Sequence, residues 1–528
     1  MKFTDKIFIM ASLSMALTGC GDFLEPNSKS EFVPKDATSL NELLLGEAYQ
    51  RNDLDGFNNF LSLMDDDVEA APYQVPMTDF NENKYLASYT WQPDMFDMMD
   101  KANAGHTNMY EKYYELILGA NAVLDYLPKV TDTEDMMNTV KAQALALRGF
   151  YYFNLVNIFG QPYNYNPDAL GVPLKLKSGI EESDDYLKRK TVGEVYEQIL
   201  LDLHAAEETY KLLPEEQQWK PKFRTSLPMV QLMLSRTYLY MENWEEAARY
   251  AKLVMENKNF KLKDLNDVPY DAVEYMYYPT YDSPETIWPY GSPEDMFGWT
   301  CQSANAANPN NNNQKMHAYF KASQDLLDTF DDSDLRKSRY IIKAPIGTET
   351  NGNETKTIYM DMAYGKIQVG TQYYLPKNAV NVFGRCLRLS EAYLNYAEAM
   401  AMLGGSGDDE ATAALYKLLE KRFYGEDIVD EVEFKFDSNA ELVQYIRDER
   451  RRELCFEGHR WFDLRRWGMP EITHVWHSSA TVSYKYRLTK EDLMYTVPIP
   501  DEAKEENGQL LQNELPGKRE YYEIIEKN

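Results

Sequence analysis

The 528-residue sequence predicts a mainly α fold assembled from pairs of helices, with one irregular, loop-rich stretch that carries short strands. Three observations lead there. Apolar residues recur at three- and four-residue spacing through most of the chain from about residue 109 onward. Several of these runs stop at proline or glycine and are followed at once by another of the same kind. From about 260 to 385 the period disappears, and Pro, Asn, Gly and Tyr take over, including the tract NAANPNNNNQ.

The chain begins MKFTDKIFIMASLSMALTGCGDF, with Lys2 and Lys6 ahead of an apolar run from Ile7 to Leu17. This is the layout of a secretory signal, too short to span a bilayer well. The ending Leu17-Thr18-Gly19-Cys20 resembles the lipobox of bacterial lipoproteins, which implies cleavage before Cys20 and acylation of that residue. An ordinary signal with an incidental cysteine is the competing reading. Two or more acyl chains tether a protein stably without any spanning helix, and no later segment qualifies as one. The other cysteines are Cys301, Cys386 and Cys455, an odd number with no CxxC pair. Cys386 and Cys455 read as buried thiols.

MYEKYYELILGANAVLDYLPKV places Tyr113, Leu116, Ile117, Ala120, Val123, Leu124 and Leu127 on one helical face and stops at Pro128. MMNTVKAQALALRGFYYFNLVNIFG follows as its antiparallel partner. TVGEVYEQILLDLHAAEETYKLLP and SLPMVQLMLSRTYLYMEN form a second pair, and NWEEAARYAKLVMEN adds a further helix after a tight turn. That last junction resembles a tetratricopeptide repeat, with Tyr238, Trp244, Ala247 and Ala248 at helix-packing positions. Later, RLSEAYLNYAEAMAMLG ends at Gly404-Gly405 and pairs with ATAALYKLLEKRFYG.

The loop-rich stretch contains EYMYYPTYDSPETIWPYGSPEDMFGWT, from Glu274 to Thr300, with eight aromatic residues among four prolines and two glycines. Aromatics without helical period either plug a core or form a platform for a ligand. TIWPY reads as a strand, so one of Ile287 and Trp288 should face the core. Trp288 is read as core, with a platform role as the alternative, while Tyr290 and Trp299 are favoured for ligand. RYIIKAP is a second strand-like run. The late block IRDERRRELCFEGHRWFDLRRWG, from Ile446 to Gly468, alternates the sign of its charges so densely that a structural ion network is expected rather than an anion grip.

The lipobox, RGFYYFNLVNIFG, SPETIWPY, RLSEAYLNYAEAMAMLG, RDERRRELCFEGHRWFDLRRWG and YTVPIPDEAKEENGQLLQNELPG together resemble the SusD/RagB family of Bacteroidetes outer-membrane lipoproteins, in family order and over nearly the whole chain. The resemblance implies a signal peptide at 1–19 and a single SusD-like domain at 20–528. Within it lie a helical scaffold at about 35–260, a ligand-binding insertion at about 260–385 and a C-terminal helical part at about 386–528. It further implies four tetratricopeptide-like helix pairs, a lipid anchor facing the cell exterior, and a role as the lid that closes glycan into a SusC-like TonB-dependent transporter.

Family members often place binding residues early in the chain. Here MDDDVEAAPYQ through SYTWQPD supplies Asp65, Asp66, Asp67, Tyr73 and Trp91. Trp91 is the expected platform and Asp67 the expected hydroxyl acceptor, with Tyr73 beside them; a solvated turn or helix cap is the competing reading of the acidic triplet. A sugar ring presents an apolar C–H face and a rim of hydroxyls, which aromatic platforms with carboxylates, amides or arginine around them would complement. Peptide capture of the RagB kind is the second reading. A purely structural adaptor, which buried loop aromatics would support, is the third, and a surface glycoside hydrolase is a further rival, although with 85 acidic residues a suitably spaced carboxyl pair arises by chance.

No HExxH, G-x-S-x-G or P-loop appears, and six scattered histidines suggest no metal cluster. Gly407–Asp409 and the DDSD run near Asp331 lack EF-hand spacing and read as caps or turns, leaving structural calcium as the one cofactor still open. The formal net charge of −30 argues against nucleic acid, which needs clustered Lys and Arg.

Overall fold

The computed structural model describes residues 34–50, 59–71, 85–101, 108–181, 183–268, 281–291, 320–351, 354–362, 383–425, 434–479 and 481–526. Numbering helices of seven or more residues, the order begins α1 (Ala37–Glu47), α2 (Met95–Lys101), α3 (Met109–Tyr126), α4 (Glu134–Phe159), α5 (Val192–Lys211), α6 (Leu227–Tyr240) and α7 (Trp244–Met255). After the loop-rich stretch come α8 (Leu389–Leu403), α9 (Gly407–Leu419), α10 (Asn439–Leu454) and α11 (Arg460–Arg466).

Eight of these pack in series, α1 on α3, then α4, α5, α6, α7, α8 and α9, each against the next, which makes four helix pairs. The starts are set by side-chain caps. Asn108, Thr133, Ser226, Asn243 and Ser438 each accept a backbone N–H from the following turn, and Thr191 with Glu194 forms a capping box at α5. Gly404, at φ +70, closes α8. Between Val140 and Phe159 almost every residue of α4 is buried, because α3 and α5 cover it on opposite sides. Gly119 lets α1 approach α3, since a Cβ there would run into the carbonyl oxygen of Glu47. At the tetratricopeptide-like junction Ala247 and Ala248 are buried, and Ser235 Oγ donates to Ala247 O across the α6/α7 contact at 2.9 Å.

The strands are short and antiparallel. β1 (Val68–Ala70) pairs with β5 (Phe320–Ala322), and β4 (Thr286–Tyr290) with β8 (Arg385–Arg388). β2 (Leu170–Pro173) pairs with β3 (Arg189–Thr191), β6 (Ile342–Asn351) with β7 (Glu354–Met362), and β9 (Ile472–His477), β10 (Val482–Leu488) and β11 (Glu523–Glu526) form a sheet in the order β11-β10-β9. One contiguous core of buried apolar side chains extends from Ala37 to Leu510, so the helices on either side of the loop-rich stretch share it. Cys386 and Cys455 are both buried.

The acids considered for calcium have local partners. Asp408 and Asp409 lie in the first turn of α9. Asp331 accepts from Ser333 N at 2.9 Å, Asp332 pairs with Lys337, and Asp334 pairs with the buried Arg336.

The late arginine-rich block is a buried ion network, as its alternating charges predict, but most partners come from elsewhere in the chain. Glu453 on α10 accepts from Arg336 (3.0 Å), Arg388 (2.6 Å) and Arg422 (2.8 Å), all essentially without solvent contact. Burial pushes the Glu453 carboxyl up, yet Arg422, Arg388 and Arg336 together hold it well below the usual range. Glu285, just ahead of β4, joins the same cluster through Arg388 (3.1 Å) and Arg422 (2.8 Å), which ties the loop-rich half to α8 and α10.

Candidate functional site

Trp91 is not a platform. Its φ is +51, its exposure is 0%, its Nε1 donates to Met64 O at 2.8 Å, and its ring stacks on His474 at 4.2 Å. His474 is held on its other side by Tyr89, at 4.1 Å, with Nδ1 2.7 Å from Tyr89 O and Nε2 3.0 Å from Asp65 O. A ring covered on its faces and engaged at its edge has no surface to offer a sugar.

Asp67 is likewise unavailable as a hydroxyl acceptor. It is buried and pairs with Arg451 Nε at 2.9 Å, while Asp66 takes a two-pronged contact from Arg460 at 2.6 and 2.8 Å. The triplet is thus neither a solvated turn nor a helix cap. It is an ionic clasp between the segment before β1 and the helices α10 and α11. Burial raises the Asp66 carboxyl, but Arg460 and Arg451 overcome that and hold it below the usual range. Burial and the neighbouring Asp67 and Asp66 push Asp65 well above it.

TIWPY is the strand the sequence predicts, but both Ile287 and Trp288 are buried. The alternation argument fails because the strand is covered on both faces. Trp288, at 2% exposure, stacks on Tyr290 at 4.8 Å, and Phe150 of α4 meets both rings edge-on at 5.0 and 5.1 Å. Trp288 is therefore core, and its platform role is withdrawn.

Tyr290 is different. It is only partly buried and lies at the end of β4. Its ring is braced by Trp288 and Phe150, and burial raises its phenol above the ordinary value. Directly across the β4/β8 ladder stands Arg385, which sequence reasoning missed. Arg385 is 6% exposed, and its Nε and Nη2 have no hydrogen-bond partner among the described residues. Its guanidinium lies over Gly458, where a Cβ would fall 2.6 Å from Nη1 and where φ is +82. Only glycine fits there on both counts. No local pattern marks Arg385, because its significance comes from a ladder partner far back in the chain. Tyr73, Trp299, Cys301 and Cys20 lie outside the described residues.

Among the described residues, no helix is long and apolar enough to cross a membrane, and no group of three or more His, Cys, Asp or Glu is arranged to hold a metal ion.

Residues 23–239 match a family model described as "Starch-binding associating with outer membrane", and residues 335–517 match the model of the SusD family. SusD-like protein P2 of Formosa agariphila is 25% identical over 384 residues, covering 67% of this chain and 70% of the relative. A SusD superfamily structure from Bacteroides thetaiotaomicron superposes with a TM-score of 0.66 at 21% identity, covering 91% of this chain and 100% of that one. A structure described as a laminarin-binding SusD-like protein superposes with a TM-score of 0.63 at 20% identity, covering 92% of this chain and all of the other. Two family models matched in succession, on a serial array of helix pairs shared with solved relatives, place the chain in the SusD/RagB family.

Proposed function

We propose that this chain is a cell-surface glycan-binding lipoprotein, anchored in the outer membrane through Cys20, that captures oligo- or polysaccharide without cleaving it and closes it into a SusC-like TonB-dependent transporter. The observation that carries the glycan reading is Tyr290, a partly buried aromatic residue whose ring is braced by Trp288 and Phe150. A ring so held stacks on the C–H face of a sugar with little loss of side-chain freedom. The buried cluster through Glu285 keeps β4 in place while ligand binds. Trp299 and Tyr73 extend the platform in this reading. The starch-binding description of the matched family model and the laminarin-binding relative favour glycan over peptide.

The test is titration of the full-length protein with neutral and acidic polysaccharides and with a peptide mixture, repeated for Tyr290→Ala and Trp299→Ala. Binding to one glycan class that weakens in either variant, with no product after long incubation, supports the reading. Binding to peptides alone replaces it with RagB-like peptide capture, and release of shortened glycan replaces it with hydrolysis.

A further inference from the structure

Away from the loop-rich half, the turn that follows α4, the turn Glu491–Leu493 and the C-terminal residues Gln512–Glu514 enclose a cavity of about 300 Å³. We propose that this cavity is a second saccharide site, which takes one or two neutral sugar units of a glycan chain. It lies outside the site assigned above and shares only its ligand class, so either assignment can fail alone.

Its volume falls at the lower end of ordinary ligand pockets. Gln161 lines it, and the Oε1 of that residue is buried with no hydrogen-bond partner among the described residues. Such an acceptor is costly until a donor reaches it, and a turn of the Gln161 amide into the cavity would offer it to a sugar hydroxyl. The mouth carries Tyr165, 53% exposed, with Leu170 and Leu493 also exposed, which gives a ring and aliphatic walls for the C–H face of a pyranose.

Charge selects the class further. Glu491, with Lys490 3.5 Å away, and Glu514 are exposed lining residues, able to accept from hydroxyls and repelling sulfated or uronic chains. Asp492 is already engaged by Arg519 at 2.8 Å.

The floor is fixed before any ligand arrives. Asn513 Nδ2 donates to Phe159 O (3.0 Å) and Val497 O (3.2 Å), and the Gln512 amide bonds Ile499 through both its N–H and its C=O. Beneath it, Arg189 donates to the carbonyls of Phe159, Leu170, Gly171 and Leu511 at 2.6 to 2.9 Å, which ties the end of α4 to β2 and the C-terminal segment. Binding there would require little ordering of the protein.

The test titrates the full-length protein and its Tyr165→Ala, Gln161→Met and Tyr290→Ala variants with hexasaccharides of α-1,4- and β-1,3-linked glucose, and with a lysine-rich hexapeptide. Expected are two saccharide sites per chain, one of them weakened about tenfold or more by Tyr165→Ala and by Gln161→Met. Gln161→Met should leave the urea midpoint unchanged or raised, because it deletes a buried acceptor that has no protein partner. Saccharide binding that Tyr290→Ala removes while both cavity variants retain it in full overturns the second site and leaves the first standing. Hexapeptide binding that the cavity variants abolish overturns the ligand class, and no saccharide binding to any of the proteins overturns the inference outright.

Discussion

Glu391→Gln is expected to destabilise the fold more than Glu453→Gln, although Glu453 makes many more contacts. Glu391 on α8 holds Arg236 of α6 by two bonds of 2.6 Å, and both side chains are buried. No other carboxylate bonds to Arg236 among the described residues. Neutralising Glu391 leaves a buried guanidinium uncompensated, a loss of about 3–5 kcal/mol. At Glu453 each arginine keeps another acid: Arg336 keeps Asp334 and Glu449, Arg388 keeps Glu285 and Glu457, and Arg422 keeps Glu285. A glutamine keeps one accepting oxygen at either position, so the difference rests on the acids that remain. With those in place, the cost of Glu453→Gln should stay near that of weakened charged hydrogen bonds, about 1.5–3 kcal/mol. Urea unfolding of the two variants beside the parent protein, followed by circular dichroism, measures the difference. A larger loss for Glu453→Gln would refute the argument that compensation, rather than number of contacts, sets the cost of a buried charge.

Trp91→Ala should lose about 3–5 kcal/mol of stability as a core deletion while the molecules that remain folded bind glycan as tightly as the parent, read by titration below the unfolding midpoint. Burial pulls His474 down from 6.5 to about 4, so the unfolded chain binds the extra proton first. Stability from this residue is then complete above pH 6.5 and lost as pH falls towards 4, by up to about 3 kcal/mol. The urea midpoint of the parent should therefore fall more steeply over that window than that of His474→Gln; an equal or shallower fall would mean that the two carbonyls facing the ring hold a second proton. Gly458→Ala should cost at least about 1–2 kcal/mol from its positive φ alone, measured by urea unfolding, and more because Arg385 must shift. Cys20→Ser should abolish incorporation of labelled palmitate and release the protein from the membrane fraction, whereas retention of label would remove Cys20 as the anchor.

The helix pairs were legible because their information is local: a 3.6-residue apolar period, a capping side chain at one end, and glycine or proline beyond the other. The structural character of the arginine-rich block was legible for the same reason, although its partners Glu285, Asp334 and Arg388 were not. Trp91 and Asp67 were misread because what buries them lies far along the chain. His474 stacks on the first and Arg451 binds the second, and no spacing rule links residues so far apart. Tyr290 stands out in the sequence by its company of aromatics, whereas Arg385 needs the β4/β8 register, and the cavity beside Gln161 is assembled from separate stretches with no shared motif.

The pairing of β4 with β8 has an evolutionary consequence. Tyr290 and Arg385 are ladder neighbours, so the long segment between them leaves and returns at almost the same point. Closure entropy grows only with the logarithm of length, and doubling such a segment costs about 0.6 kcal/mol more. Changes of length between these two residues should therefore cost the helices little, provided they spare Phe320, Leu326, Tyr340 and Arg336, which are buried in the core and the ion network. A lineage could vary the remaining stretches of that segment while the rest of the gene stands still.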